Sequence, residues 1–286
     1  MFRNDSVRRY CRGVLCALVC CSALPAFGQS VGGNLVPGKT VDSGLLAQEI
    51  ASAGRLRMQS QRLAKLYRQV AMGVNPAKGA QQIGQASAEM DAEFARLARY
   101  GRLANTQRAY ARSEVLWQEM RDLLKKTPAS ASAERINQVA DELMIHAGKL
   151  SVQIEAGSET PLGRLVDQSS RLNMLAQRLA RLYLLAQAGE RSQGVLTDIE
   201  QARKEFSTGL RELDTASENS PASRDNIALA KNQWIFFDNA LSRLGERNES
   251  RALLDVATSS ERIAQVLEAT SAQYMRDYAA GQYPAK

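Results

Sequence analysis

Cysteine is absent beyond residue 21: Cys11, Cys16, Cys20 and Cys21 are the only four in 286 residues. All four fall in a segment, residues 1–28, that reads as a secretory signal peptide. MFRNDSVRRYCR is basic, and Gly13 to Leu24 is apolar but too short to cross a bilayer core of about 30 Å. Pro25 then precedes Ala26-Phe27-Gly28, a small-x-small cleavage signature. An uncleaved anchor is the alternative. A lipidated cysteine is disfavoured, because Val19 and Cys20 stand where a lipobox needs a small residue. Cleavage leaves about 258 residues without a thiol, which excludes disulfides and thiolate metal sites. A chain of that length can hold itself together by its core alone.

Other absences narrow the function. No second apolar run approaches the length of a membrane span. The single histidine, His146, has neither a cysteine nor a recognisable Ser/His/Asp arrangement to work with, and there is no Gly-rich phosphate loop. On a helix beside Ile145 and Ala147 it reads as a half-buried packing residue. The acidic pairs Asp141/Glu142 and Glu200/Glu205 have helix-surface spacing. Glu142 and His146 are four apart, which misses the Glu-x-x-His pattern of di-metal bundles. No enzyme and no cofactor is therefore expected. Removing the signal segment takes the formal net charge from +7 to +4, too weak a basic excess for a nucleic-acid partner.

Strand patterning is absent too. No stretch rich in Val, Ile and Thr alternates with period two, whereas 3.6-residue periodicity runs almost throughout. Prolines fall where helices begin: Asn75-Pro76, Thr160-Pro161 and Ser220-Pro221 each place a capping residue before a Pro at the first helical position. Thr127-Pro128 lies in an Ala/Ser linker. These breaks predict eight helices, over about 43–73, 76–100, 105–126, 133–156, 161–188, 193–215, 221–245 and 249–280.

What the chain does contain is a repeat. RLRMQSQRLAKLY, from Arg55, returns as RLNMLAQRLARLY, from Arg171, with nine of thirteen positions identical at an offset of 116. Trp117 and Trp234 are 117 apart, both in a third helix. Val139/Val256, Ala147/Ala264 and Leu150/Leu267 pair at the same offset in the fourth. The expected fold is all-α: two tandem four-helix, up-down bundles. The domains are a signal peptide (1–28), a flexible leader (29–42), a first helical domain (43–157), a second (158–280) and a tail (281–286).

The first helix of each half has two stripes. Leu56, Ser60, Leu63, Tyr67 and Val70 make a bundle-packing face, repeated by Leu172, Ala176, Leu179, Tyr183 and Ala186. The second stripe is Gly54, Arg57, Gln61 and Ala64, matched by Ser170, Asn173, Gln177 and Ala180. Mid-helix Gly costs about 1 kcal/mol against Ala and permits close approach by another backbone or a ligand. Arg57, one turn on, is a planar fork suited to an oxyanion. An Arg beside an apolar stripe also commonly snorkels to solvent. Arg55, Arg62, Arg171 and Arg178 read as surface or salt-bridging groups, and Met58 and Met174 as core.

AGRLRMQSQRLAKLY, Ala53 to Tyr67, resembles the signature of the type IV pili methyl-accepting chemotaxis transducer N-terminal domain, the PilJ-type domain. It is also similar to the P-box that opens the sensor domain of NarX-type nitrate/nitrite sensor kinases. The second copy resembles it with lower fidelity. The resemblance implies an all-α periplasmic sensor domain for a small anion of the nitrate/nitrite class. It also implies that the anion is gripped between two first helices across a homodimer axis by an Arg from each. On this chain the resemblance places the ligand Arg at Arg57, the nearby Gly at Gly54 and the later P-box Arg at Arg62; Gln61, on the same stripe as Arg57, completes the candidate ligand site, with Asn173, Gln177 and Arg178 as second-repeat counterparts. Asn173 and Ser170 depart from the pattern, where the Arg and the Gly would stand. The implied site is then either Arg57 facing Arg57 across two chains, or a site for something other than nitrate.

Two guanidinium groups about 6 Å apart, at an effective dielectric of about 20, repel by roughly 3 kcal/mol. An anion between them would favour a close arrangement of the helices. The chain ends in YAAGQYPAK with no membrane-spanning helix after its last bundle. The expectation is thus a soluble periplasmic or secreted ligand-binding protein that passes its state to a membrane sensor or pilus partner. The alternative is a structural or interaction module of the envelope or pilus system with no small ligand, whose sign would be an exposed apolar groove.

Overall fold

A serine ahead of a proline opens a helix by supplying an acceptor and a preset φ. The computed structural model describes residues 40–126, 130–157, 161–245 and 249–279. At Ser220 the hydroxyl accepts from the Ser223 N–H at 3.2 Å, and Pro221 is the first residue of its helix. Ser192 caps in the same way, accepting from the Val195 N–H at 3.3 Å. Asn75 starts its helix differently: it sits at φ 47° with no side-chain cap bond, after Gly73 at φ 74°. Two left-handed residues turn the chain sharply there, and Gly and Asn tolerate that conformation best.

Among the described residues every regular element is helical. In order they are α1 (Thr40–Ala71), α2 (Pro76–Arg96), a 3₁₀ turn (Ala98–Arg102), α3 (Gln107–Leu124), α4 (Ser130–Glu155), α5 (Pro161–Gln187), α6 (Gln193–Asp214), α7 (Pro221–Leu241) and α8 (Glu249–Ala279). The signal peptide, most of the leader, Thr127-Pro128, Thr160 and the tail 281–286 lie outside the described residues. The leader expectation needs one correction, since α1 begins at Thr40, inside it. α2 also stops short of residue 100. Tyr100 turns inward instead, and its hydroxyl donates to the buried Glu49 carboxylate at 2.7 Å.

α1 packs against α2, α4 and α5, while α5 packs against α1, α6 and α8; α3 lies on α4 and α7 on α8. Each pairing within 40–155 thus has a counterpart within 161–279, and α1 against α5 joins the two sets. All of this falls in one compact unit, residues 38–286.

This topology surrounds α1. From Glu49 to Gln69 only Arg55 and Arg62 are even half-exposed. Leu56, Leu63 and Tyr67 are buried as the first stripe predicts, but so are Arg57, Gln59, Ser60, Gln61, Lys65 and Arg68. A helix buried on all sides is ordinarily apolar all round. This one is rich in polar groups, and buried polar groups need partners inside the fold.

Candidate functional site

α1 and α5 approach closely at Gly54. A β-carbon there would lie 2.4 Å from the Ser170 Cβ and 2.7 Å from its Oγ. Ser170 is the residue 116 positions on, so each half presents its equivalent position to the other at the crossing. Gly54 is there because neither helix has room for a second side chain.

One turn along, Arg57 points into the same interface. Its Nη2 donates to the Asp167 carboxylate at 2.9 Å, and Asp167 also accepts from Ser151 Oγ at 2.7 Å. The side chains are 8% and 15% exposed, so the pair is sealed among α1, α4 and α5. Burial pulls the Arg57 guanidinium below its ordinary value, against the opposing pull of Asp167. Burial and the neighbouring Asp167 charge raise the Glu155 carboxyl. Arg57 Nε is buried with no acceptor.

The other expected ligand residues are engaged within the chain. Gln61 donates to the Ala140 carbonyl at 3.0 Å and accepts from Arg181 Nε at 2.8 Å. Arg62 faces away from Arg57 and forks onto Glu261, with Nη2 2.7 Å from the carboxylate. Asn173 donates to the Ala264 carbonyl at 3.3 Å and Gln177 to the Ser260 carbonyl at 3.0 Å. Arg178 pairs with Asp198 at 3.0 Å. The structure therefore brings Gly54, Arg57 and Ser170 together at the crossing and leaves Arg62 and Arg178 on other faces. Within the chain Arg57 faces Asp167 and not a second Arg57. α5 of the same chain already covers that face of α1.

Sequence reasoning missed the most deeply buried charges. Lys65 is wholly buried and donates to Glu261 and to Ser260 Oγ, the latter at 3.2 Å. Its repeat counterpart Arg181 is 1% exposed and forks onto Gln61 and onto Asp141, 2.6 Å away. A usable signal was present: position 65 of the first copy and 181 of the second are both cations on the packed side of the helix. They escape a count of identities because one is Lys and the other Arg.

Burial alone would raise the Glu261 carboxyl, but Lys65 and Arg62 overcome it and hold it down to about 2 from 4.5. A carboxyl depressed in the folded state stabilises fully above its unfolded value and loses that contribution as pH falls through the folded one. The shift corresponds to about 3 kcal/mol, partly offset by the burial of Lys65, whose own value is lowered. The thermal midpoint is expected to fall between pH 4.5 and 2, and Glu261→Gln should flatten that acid limb. An acid limb equally steep in the variant would assign the loss to other carboxylates.

His146 is half-buried on α4, as its neighbours imply, and burial lowers its pKa. Among the described residues no group of three or more His, Cys, Asp and Glu side chains converges where a metal could sit. No helix among them is long and apolar enough to cross a membrane.

Against known families, residues 43–143 match PilJ, the type IV pili methyl-accepting chemotaxis transducer N-terminal domain. The match covers α1, α2, α3 and the first half of α4, and with them Gly54, Arg57, Gln61 and Arg62. PilJ domains are signalling sensor domains, not catalysts, and are typically periplasmic. The match is thus to a sensory or signalling type of module, over about a third of the chain. No curated protein and no solved structure matches the chain.

Proposed function

We propose that the protein is a periplasmic sensory module built from two tandem four-helix bundles of PilJ type, 43–157 and 158–280. In this reading α1 and α5 stand within one chain where two separate subunits would otherwise meet. Asp167 occupies the seat at Arg57 that the family resemblance assigns to a small anion. The observation that carries this is the buried Arg57–Asp167 ion pair, at 2.9 Å, one turn from the Gly54–Ser170 crossing. A carboxylate held in the same fold competes at high effective concentration with any free anion. Nitrate or nitrite gains Arg57 only by displacing it. Whatever shifts α1 against α5 then biases the geometry that a membrane or pilus partner reads.

Calorimetric titration with nitrate and nitrite tests this. The wild type is expected to show no saturable binding below about 1 mM. Asp167→Asn should gain binding, and Arg57→Ala added to it should abolish that gain. Tight binding by the wild type, lost in Arg57→Ala, would instead make this a direct nitrate-class sensor. The buried Arg57 Nε without an acceptor favours that second reading.

The interaction-module alternative has one supporting feature. On α7, Ile235 and Phe236 are 57% and 65% exposed. Ile235 lines a groove of about 290 Å³ with Leu210 and Trp234, rimmed by Ser207, Arg211, Asp214 and Lys231.

A further inference from the structure

A second groove, of about 390 Å³, lies on the face of α1 opposite Arg57, between α2 and α8 with Asn173 of α5 at its floor. Its volume is in the range of small-molecule sites. Its hydrogen-bonding capacity is lopsided. Arg55 is spent on Glu93, Glu268 and Ser52, and Arg62 on Glu261. Among the buried polar groups of the groove, those left over are acceptors.

Asn173 is 3% exposed and its Oδ1 has no donor. Its Nδ2 faces the Ala264 carbonyl, which only accepts, so turning the amide over would break a bond and fill nothing. Gln59 is 2% exposed and repeats the situation: its Nε2 donates to the Glu89 carboxylate, and its Oε1 is buried with no donor. Leaving such an atom unmet costs about 1–3 kcal/mol. Both residues line the groove. So do Glu89 and Glu268, whose carboxylates are half-exposed and carry spare lone pairs. Of the carboxylates there, Glu261 is held by Arg62 and Lys65, which leaves Glu89 and Glu268 as the ones open to a ligand. Met58 and Ala264 supply an apolar wall.

We propose that this groove binds a small organic cation carrying a primary ammonium group, which donates to Asn173 Oδ1, Gln59 Oε1 and the flanking carboxylates. An ammonium offers three donors and no acceptor, the complement of what is unmet here. A short alkyl stem would lie along Met58 and Ala264. Anions are disfavoured by the same groups, so this site is separate from Arg57 and does not depend on the proposal made for it.

Titration of the full chain with 1,4-diaminobutane is the test, with tetramethylammonium, a cation without N–H donors, as comparator. The expected result is saturable binding of the diamine, at least tenfold tighter than the comparator. Glu89→Gln with Glu268→Gln, both half-exposed and each keeping an oxygen to accept from Gln59 or Arg55, should weaken it at least tenfold. Glu142→Gln, on the far side of α4, should leave it unchanged. No saturation up to about 10 mM, equal binding of tetramethylammonium, or indifference to the double substitution would each overturn the proposal. None of these readouts involves nitrate or Arg57, so the two proposals fail separately.

Discussion

Glu261→Gln is expected to destabilise the protein by about 3–5 kcal/mol, the cost of leaving a buried charge without its partner. Lys65 has no exposed side-chain surface, and Glu261 has 19%. Lys65 cannot reach solvent by a rotamer change, because α2, α4, α5 and α8 enclose this part of α1. Gln keeps a hydrogen-bond acceptor and removes the charge, so the loss reports electrostatics and not volume. For a chain of this size each kcal/mol moves the midpoint by about 2–4 °C. Replacing both partners, Lys65→Met with Glu261→Leu, should recover most of the loss, since well-packed apolar residues often substitute for a buried pair at no net cost. Midpoints from thermal or urea unfolding decide it. A loss under about 1 kcal/mol for Glu261→Gln would mean that water reaches Lys65.

Asp167→Ala is expected to cost a similar amount, about 3–5 kcal/mol. It strips from Arg57, whose side chain is 8% exposed, the carboxylate it is bonded to, and the acceptor from Ser151 Oγ. Nitrate should then restore part of the lost midpoint, because a ligand of the native state alone stabilises it by mass action. Chloride at equal ionic strength separates specific filling of the seat from screening. A small loss, with no response to nitrate, would show that Arg57 is solvated and that Asp167 does not occupy an anion seat.

Helix boundaries were legible because the chain marks them chemically: Pro76, Pro161 and Pro221 begin helices as their fixed φ requires. Gly54 was legible as a point of close approach, and the structure names the approaching residue, Ser170. Asp167 was not legible. Its repeat counterpart is Ala51, so comparison of the halves gave no hint that one side would supply a carboxylate to the other's Arg. The register of the fourth helices was also misread. Pairing at 117 aligns Val139 with Val256, but the hydrogen bonds align Ala140 with Ser260 and Asp141 with Glu261, 120 apart. Three residues is nearly one turn, so either register buries the same face, and apolar periodicity cannot separate them. Lys65 and Arg181 were hidden by a similar degeneracy, since a helix drawn with one core stripe has no place for cations that are buried on another.

α1 and α5 cross within one chain at Gly54 and Ser170, and every role assigned to Arg57 depends on that crossing. The most direct measurement is a double-mutant cycle on the unfolding free energy of Gly54→Ala, Ser170→Gly and the pair. A β-carbon on Gly54 would lie 2.4 Å from that of Ser170, so Gly54→Ala alone should destabilise, by about 1–3 kcal/mol for an overpacked contact. Ser170→Gly alone should cost only helix propensity, under about 1 kcal/mol. The two together should be more stable than their sum by at least about 1 kcal/mol, because the second substitution removes the atoms the first one meets. Additive losses would mean that the residues do not touch, and the intrachain pairing of the two halves would fall with that contact.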